Sequence, residues 1–178
     1  MTAEPLSTPS SPRITGAETG ADLAAIRDVN LQAFSTSYEA ELVDGLRASP
    51  TAWLPDLSIV ATTASGQVVG HALLTRCHIH DASVLALGPC AVLPVFQRQG
   101  VGGAVIPAAL EGVSERGENL VVLLGHADYY PRLGFRPASS FGIQAPFEVN
   151  DENLMAIVLD ESRPVPTGVI HYPDAFGV

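Results

Sequence analysis

The strongest constraint in this chain is a junction between an apolar run and a glycine-rich turn. Val84 to Val92 is apolar and broken by Gly88 and Pro89. After Leu93 and Pro94 come Gln97, Arg98, Gln99, Gly100, Val101, Gly102 and Gly103, then an apolar, alanine-rich segment with helical spacing. A strand that passes through such a turn into a helix leaves the first-turn amides without intrahelical acceptors, at the positive end of the peptide dipoles. Glycines at 100, 102 and 103 let an anion reach those amides without meeting a Cβ. Arg98 adds a forked, permanently charged donor beside them. The junction therefore fits an anion such as a diphosphate; a turn of this spacing also occurs as plain structure, and at this point both readings stand. Two phosphate loops do not fit. The chain has no lysine, so a Gly-x-x-x-x-Gly-Lys-Ser/Thr loop is absent, and the glycines miss the Gly-x-Gly-x-x-Gly spacing. Neither ATP hydrolysis nor NAD binding is favoured.

Gln97-Arg98-Gln99-Gly100-Val101-Gly102 resembles the Q/R-x-x-G-x-G/A signature of the GCN5-related N-acetyltransferases, the GNAT superfamily. Further on, Tyr129-Tyr130-Pro131-Arg132-Leu133-Gly134-Phe135 is similar to the superfamily's second signature, an aromatic-Tyr-x-x-x-Gly-Phe segment. Leu87-Gly88-Pro89 with Ala91-Val92, and Leu124-Gly125-His126 with Tyr129-Tyr130, resemble the bacterial YhbS-like branch. The likeness spans about Ile14 to the C-terminus. It implies an α/β fold: a mixed, mostly antiparallel sheet flanked by helices, with one parallel strand pair that splays apart to admit the cofactor. Residues 14–178 are then one domain preceded by a flexible tail, 1–13.

The same resemblance implies acetyl-CoA as cosubstrate and a primary amine, most simply of a small molecule, as acceptor, with direct transfer and no metal. The pantetheine arm should pair like an added strand with the backbone of Ala91, Val92 and Leu93. The diphosphate should rest on the N–H groups of Arg98, Gln99, Gly100, Val101, Gly102 and Gly103. Val92 N–H is expected to polarise the thioester carbonyl. Tyr130 stands where many relatives carry the proton donor to the leaving thiolate; the competing reading packs it against the sheet as a pocket wall. Some relatives place a glutamate where this chain has Ala86, so the general base stays open among Glu39, Glu41 and relayed water. That departure also sustains an alternative, an acyl-CoA-binding regulatory module with little catalysis. A protein or peptide N-acetyltransferase is a further alternative. The resemblance leaves room for a homodimer.

The 178 residues, 47% hydrophobic and 16% charged, suit one compact domain rather than a disordered chain. Apolar stretches are interrupted before membrane-span length, and no basic-then-apolar leader is visible, so a cytoplasmic protein is expected. The formal charge of −10 disfavours nucleic acid and favours cationic amines. Arg98, Arg116, Arg132 and Arg136 place positive charge near the proposed phosphate site, although Arg116 and Arg136 suit plain surface roles equally well. Cys77 and Cys90 read as reduced core residues, without the acid or histidine pattern that a nucleophilic Cys90 requires. His78 and His80 share a strand face but lack a third ligand, and His126 ends a core strand near the expected gap.

Local patterning predicts a helix capped by Thr19 and Asp22, a second around Tyr38, Leu42 and Leu46, and a hairpin of Leu57–Thr62 with Gln67–Ile79. A strand over Ser83–Val92, a helix over Gly100–Arg116, a buried strand over Leu120–Gly125 and a short helix over Ala127–Leu133 follow. Late strands are expected at Leu154–Asp160 and Gly168–Tyr172. Pro107 inside the third helix calls for a kink near Gly103 or a later helix start.

Overall fold

The computed structural model describes residues 14–178; the stretch 1–13, expected as a tail, lies outside the described residues. In chain order the elements are β1 (Ile14–Ala17), α1 (Leu23–Ala33), α2 (Tyr38–Arg47), β2 (Ser58–Thr62), β3 (Val68–Ile79), β4 (Ala82–Val92) and α3 (Val101–Glu115). β5 (Leu120–Leu124), β6 (Arg136–Pro137), β7 (Ile143–Gln144), β8 (Leu154–Val158) and β9 (Gly168–His171) complete the chain. The sheet runs β1-β2-β3-β4-β5-β8-β6, with β9 pairing the far end of β3 and β7 pairing β9. Its pairs are antiparallel except β4–β5 and the short β7–β9 contact.

β3 is buried along nearly its whole length, which requires cover on both faces of the sheet. Two adjacent β3 residues identify that cover. His71 reaches Asn30 of α1, whereas a Cβ on Gly70 would lie 2.5 Å from Val101 of α3. Successive strand residues point to opposite faces, so α1 and α3 lie on opposite sides of the sheet. α2 joins α1 on its side through Arg47, whose guanidinium pairs with Glu18 beside Ser58 and His71.

On the α1 side runs a chain of buried polar groups. Asn30 donates from Nδ2 to His71 Nδ1 (3.2 Å), His71 Nε2 meets Ser58 Oγ (2.9 Å), and Ser58 donates to the Glu18 carboxylate. Arg47 closes the chain with two bonds to Glu18, at 3.0 and 3.1 Å. Because Asn30 supplies the proton on the Nδ1 side, the His71 ring is the Nε2–H tautomer. Burial, and then the charge of Arg47, lower the His71 pKa to about 3, so the ring is neutral.

At β4 the register with β3 moves from Ala72↔Cys90 to Leu74↔Leu87, which leaves Gly88 and Pro89 as the expected bulge. β4 and β5 pair only at Leu85↔Val121 and Ala86↔Val122, then separate.

Three local expectations are corrected. The Thr19–Asp22 box caps a 3-10 turn, Gly20–Asp22, which leads into α1; Thr19 N–H and hydroxyl donate to Asp22 at 2.7 and 2.8 Å. Ala127–Leu133 is not a helix throughout. Only Tyr130–Leu133 forms a 3-10 turn, because Pro131 lacks an N–H and Gly134, at φ +98°, ends it. The third helix does not start late: it begins at Val101 and carries Pro107 within it. Pro107 and Gly103 are both exposed, so water can serve the Gly103 carbonyl that Pro107 leaves without a donor.

Candidate active site

Where β4 and β5 part, a cleft of about 1350 Å³ opens, lined by Ala86–Val92 on one strand and Val122–His126 on the other. Its backbone polarity follows from the β3–β4 register. Leu93 N–H donates to Val69 O at 2.9 Å, and Leu93 O accepts from Phe96 N–H at 2.8 Å. Alternation along an antiparallel strand then turns the polar groups of Ala91 toward β3 and those of Cys90 and Val92 toward the gap. Of the three residues expected to pair with an extended ligand, Val92 alone presents both groups there, and Cys90 is its partner one step back. Val92 O also accepts from the Gln97 amide at 3.2 Å. A carbonyl has two lone pairs, so a second donor can share it.

α3 begins at the mouth of this cleft. Gly100 stands just before it at φ +84°, and Arg98 holds φ +60°, an uncommon backbone for a residue with a side chain. The glycines serve different ends. Gly100 supplies the left-handed turn, and a Cβ on Gly103 would meet open space. A Cβ on Gly102 would lie 2.5 Å from the Tyr129 hydroxyl, so Gly102 admits Tyr129 onto the first turn of α3. Arg98 is exposed and lines the cleft with Gln97, Gly100, Val101, Gly102 and Gly103, while Gln99 turns its amide back to Val95 O at 2.8 Å. Arg132 lies 5.2 Å above the Tyr129 ring and lines the same end. Arg116 and Arg136 do not contribute. Arg116 pairs with Asp56 at 2.7 Å, and Arg136 pairs with Glu161 at 2.5 Å while covering Phe141.

Tyr130 occupies the floor of the gap. Its ring packs edge-on against Tyr129 (5.1 Å) and Phe135 (5.8 Å), and Gly125 makes room for it, since a Cβ there would fall 2.3 Å from the ring. The hydroxyl stands beside the Cys90 thiol. Burial, followed by the Cys90 sulfur, holds the phenol protonated well beyond its ordinary range, and burial pushes the Cys90 thiol up to about 12. Both groups are neutral near pH 7. Cys90 is therefore no nucleophile, and Tyr130 keeps its proton in the wall of the cleft.

Ala86 is buried and offers no carboxylate. Of the two candidate bases, Glu39 lines the cleft, whereas Glu41 is exposed and accepts from Ser37 at 2.8 Å. His126 lines the cleft; His78 is exposed and registers with His171 across β3–β9. Among the described residues no three His, Cys, Asp or Glu side chains gather closely enough to hold a metal ion, and no helix is long and apolar enough to cross a membrane. Sequence reading gave Gly125, Tyr129 and Gln97 no role in the site. The signal was there: Gln97 and Tyr129 open the two signatures, and Gly125 stands in the Leu124-Gly125-His126 phrase.

A mixed sheet whose parallel pair opens over a helix N-terminus, with a backbone N–H facing the opening, defines an acyltransferase architecture. Residues 23–135 match the model of the acetyltransferase (GNAT) family, and the chain belongs to that family. It is 40% identical over 137 residues to the uncharacterized N-acetyltransferase YjhQ of Escherichia coli (strain K12), covering 74% of this chain and 75% of that protein. A GNAT family acetyltransferase from Brucella melitensis, solved in complex with acetyl-CoA, is 31% identical with a TM-score of 0.74, covering 92% of this chain and 97% of that one. The fold is also that of the GNAT family N-acetyltransferase YhbS from Escherichia coli in complex with CoA: TM-score 0.87, 23% identity, 97% of this chain and 96% of that chain. The family and the mixed, helix-flanked sheet read from the two motifs are thus borne out.

Proposed function

We propose that this protein moves an acetyl group from acetyl-CoA to a primary amine of a small molecule, and that it works in the cytoplasm. The observation that carries the reading is Val92: its N–H faces the gap between β4 and β5, in the same cleft that the first turn of α3 lines. An extended pantetheine arm bonding to Val92 would continue the sheet, and its diphosphate would reach the Arg98–Gly103 amides with Arg98 and Arg132 beside them. The 31% identical Brucella melitensis relative, solved with acetyl-CoA, supports that donor.

In this reading Val92 N–H donates to the thioester oxygen as negative charge develops there. Tyr130 gives its proton to the departing thiolate. Its high pKa is a poor match for that task in water, so the transfer depends on the thiolate being held against the hydroxyl. Free Cys77 and Cys90 suit a reducing compartment.

Calorimetric titration with acetyl-CoA, paired with a Gly100→Glu, Gly102→Glu variant, tests the donor site. Binding by the parent chain and its loss in the variant are expected; no binding by the parent ends the reading. A second reading, binding without transfer, draws on the missing carboxylate at Ala86. Release of CoA thiol in the presence of an amine would dispose of it.

A further inference from the structure

The cleft has a second arm, on the opposite side of the sheet from α3. Phe34, Tyr38 and Leu42, from the end of α1 and from α2, form one wall. Phe147, Tyr172 and Phe176 form the other: Phe147 and Tyr172 stack at 6.1 Å, and Tyr172 meets Phe176 at 5.0 Å. Tyr38 ties the walls together by donating to Phe176 O at 2.8 Å. Several of these rings remain partly open to solvent, Tyr38 at 48% exposure, although they face one another across a concave space. Half-exposed aromatic faces in a recess are what an apolar ligand covers.

Charge in this arm is sparse and of one sign. Glu39 is the one acidic side chain among the described residues that line the cleft. Both lining arginines stand at the α3 end, Arg132 over the Tyr129 ring whose hydroxyl rests on Gly102, and Arg98 before Gly100. An acceptor carboxylate or phosphate would therefore find no cation in the second arm. A polyamine or aminoglycoside would find one anion for several charges. A single ammonium on an apolar skeleton matches what the arm provides.

We infer that the acceptor is a monoamine bearing an aryl or similarly bulky apolar group, that the Phe147–Tyr172–Phe176 wall takes this group, and that Glu39 receives its ammonium. This rests on the acetyltransferase reading above. Glu39 then takes one proton from the ammonium, and the freed nitrogen lone pair forms the C–N bond to the acetyl carbon. The C–S bond breaks, and the sulfur leaves with the Tyr130 proton. Tyr130 recovers a proton from the nitrogen as the amide forms, and Glu39 releases its proton to water.

The test is thiol release from acetyl-CoA by the full chain with 2-phenylethylamine, set against spermidine, glycine and a lysine-containing peptide. Acetyl-CoA affinity is measured separately by calorimetry. Phenylethylamine should exceed each of the others by about tenfold or more in kcat/KM. Glu39→Gln should raise its KM by about tenfold and move the rising limb of the kcat/KM profile to higher pH, with acetyl-CoA affinity unchanged. Phe147→Leu, which keeps an apolar surface, should narrow the preference for the aryl amine. Preference for spermidine, glycine or the peptide overturns the inference, as does Glu39→Gln with parental KM and pH profile. Binding of acetyl-CoA with no amine consumed also overturns it. Failure to bind acetyl-CoA removes the donor reading itself, so the two failures are distinguishable.

Discussion

Two polar sites, one on each side of β4, have opposite designs. The Asn30–His71–Ser58–Glu18–Arg47 chain links α1, α2 and the β1–β3 part of the sheet, each link running from donor to acceptor, and leaves Asn30 Oδ1 as its one buried polar atom without a partner. The Tyr130–Cys90 pair also couples two neutral groups, but it lies in the wall of the cleft. The first arrangement spends its hydrogen bonds on holding elements together. The second sets a protonated hydroxyl beside a soft thiol in an open wall, where a better acceptor could take the proton. Similar chemistry therefore yields a fastening in one place and, under the proposed function, a proton donor in the other.

The largest contrast should appear on cutting each site. His71→Ala removes a fully buried ring and leaves Ser58 and Asn30 without it, so urea unfolding should show a loss of about 3 kcal/mol. Turnover per folded molecule should stay at the parental value. Tyr130→Phe should do the reverse: kcat falls roughly 100-fold, about 2.7 kcal/mol in the barrier, while unfolding moves by about 1 kcal/mol or less. Full turnover by Tyr130→Phe would reduce that residue to a wall.

A smaller effect is expected from pH. His71 takes up a proton near 6.5 when unfolded but only near 3 when folded, so the unfolded chain binds more protons between those values. Its contribution is complete above pH 6.5 and declines as pH falls toward 3, at no more than about 1.4 kcal/mol per pH unit. His71→Gln should flatten that part of the stability profile, read by urea midpoints at pH 7 and 5.5. The smallest change is Cys90→Ala, which takes away the sulfur beside the Tyr130 hydroxyl and should alter kcat about twofold to threefold. A fall as large as that of Tyr130→Phe would make the sulfur a positioning group in its own right.

What the sequence revealed was local in the chain. Val84–Val92, the glycine turn and the following helix are contiguous, and Tyr130 stands four residues before Gly134, so two short signatures and the family resemblance they carry were enough to single them out. What it concealed was made by distant contacts. Gly102 looked like one more residue clearing a path for phosphate, but its missing Cβ makes room for Tyr129. Gly125 closed a strand on paper; in space it is the seat of the Tyr130 ring. The His71 chain joins residues 13 to 41 positions apart, each polar and unremarkable by itself. Glu39 and Glu41 were equivalent on a helix until the fold turned one into the cleft and left the other in solvent. The short strands Arg136–Pro137 and Ile143–Gln144 have no periodicity of their own and exist because β8 and β9 are there to pair with them.

The narrow join between β4 and β5 has a mechanical consequence. The sheet is one fabric across its middle only at Leu85–Val121 and Ala86–Val122. Under the proposed function, a donor extended along Val92 would lengthen that seam with bonds the chain does not own, so the reactant would also be a beam. The molecule would then be stiffest with its donor in place and slackest when CoA departs, and amide exchange in β5 and β8 should follow that rhythm.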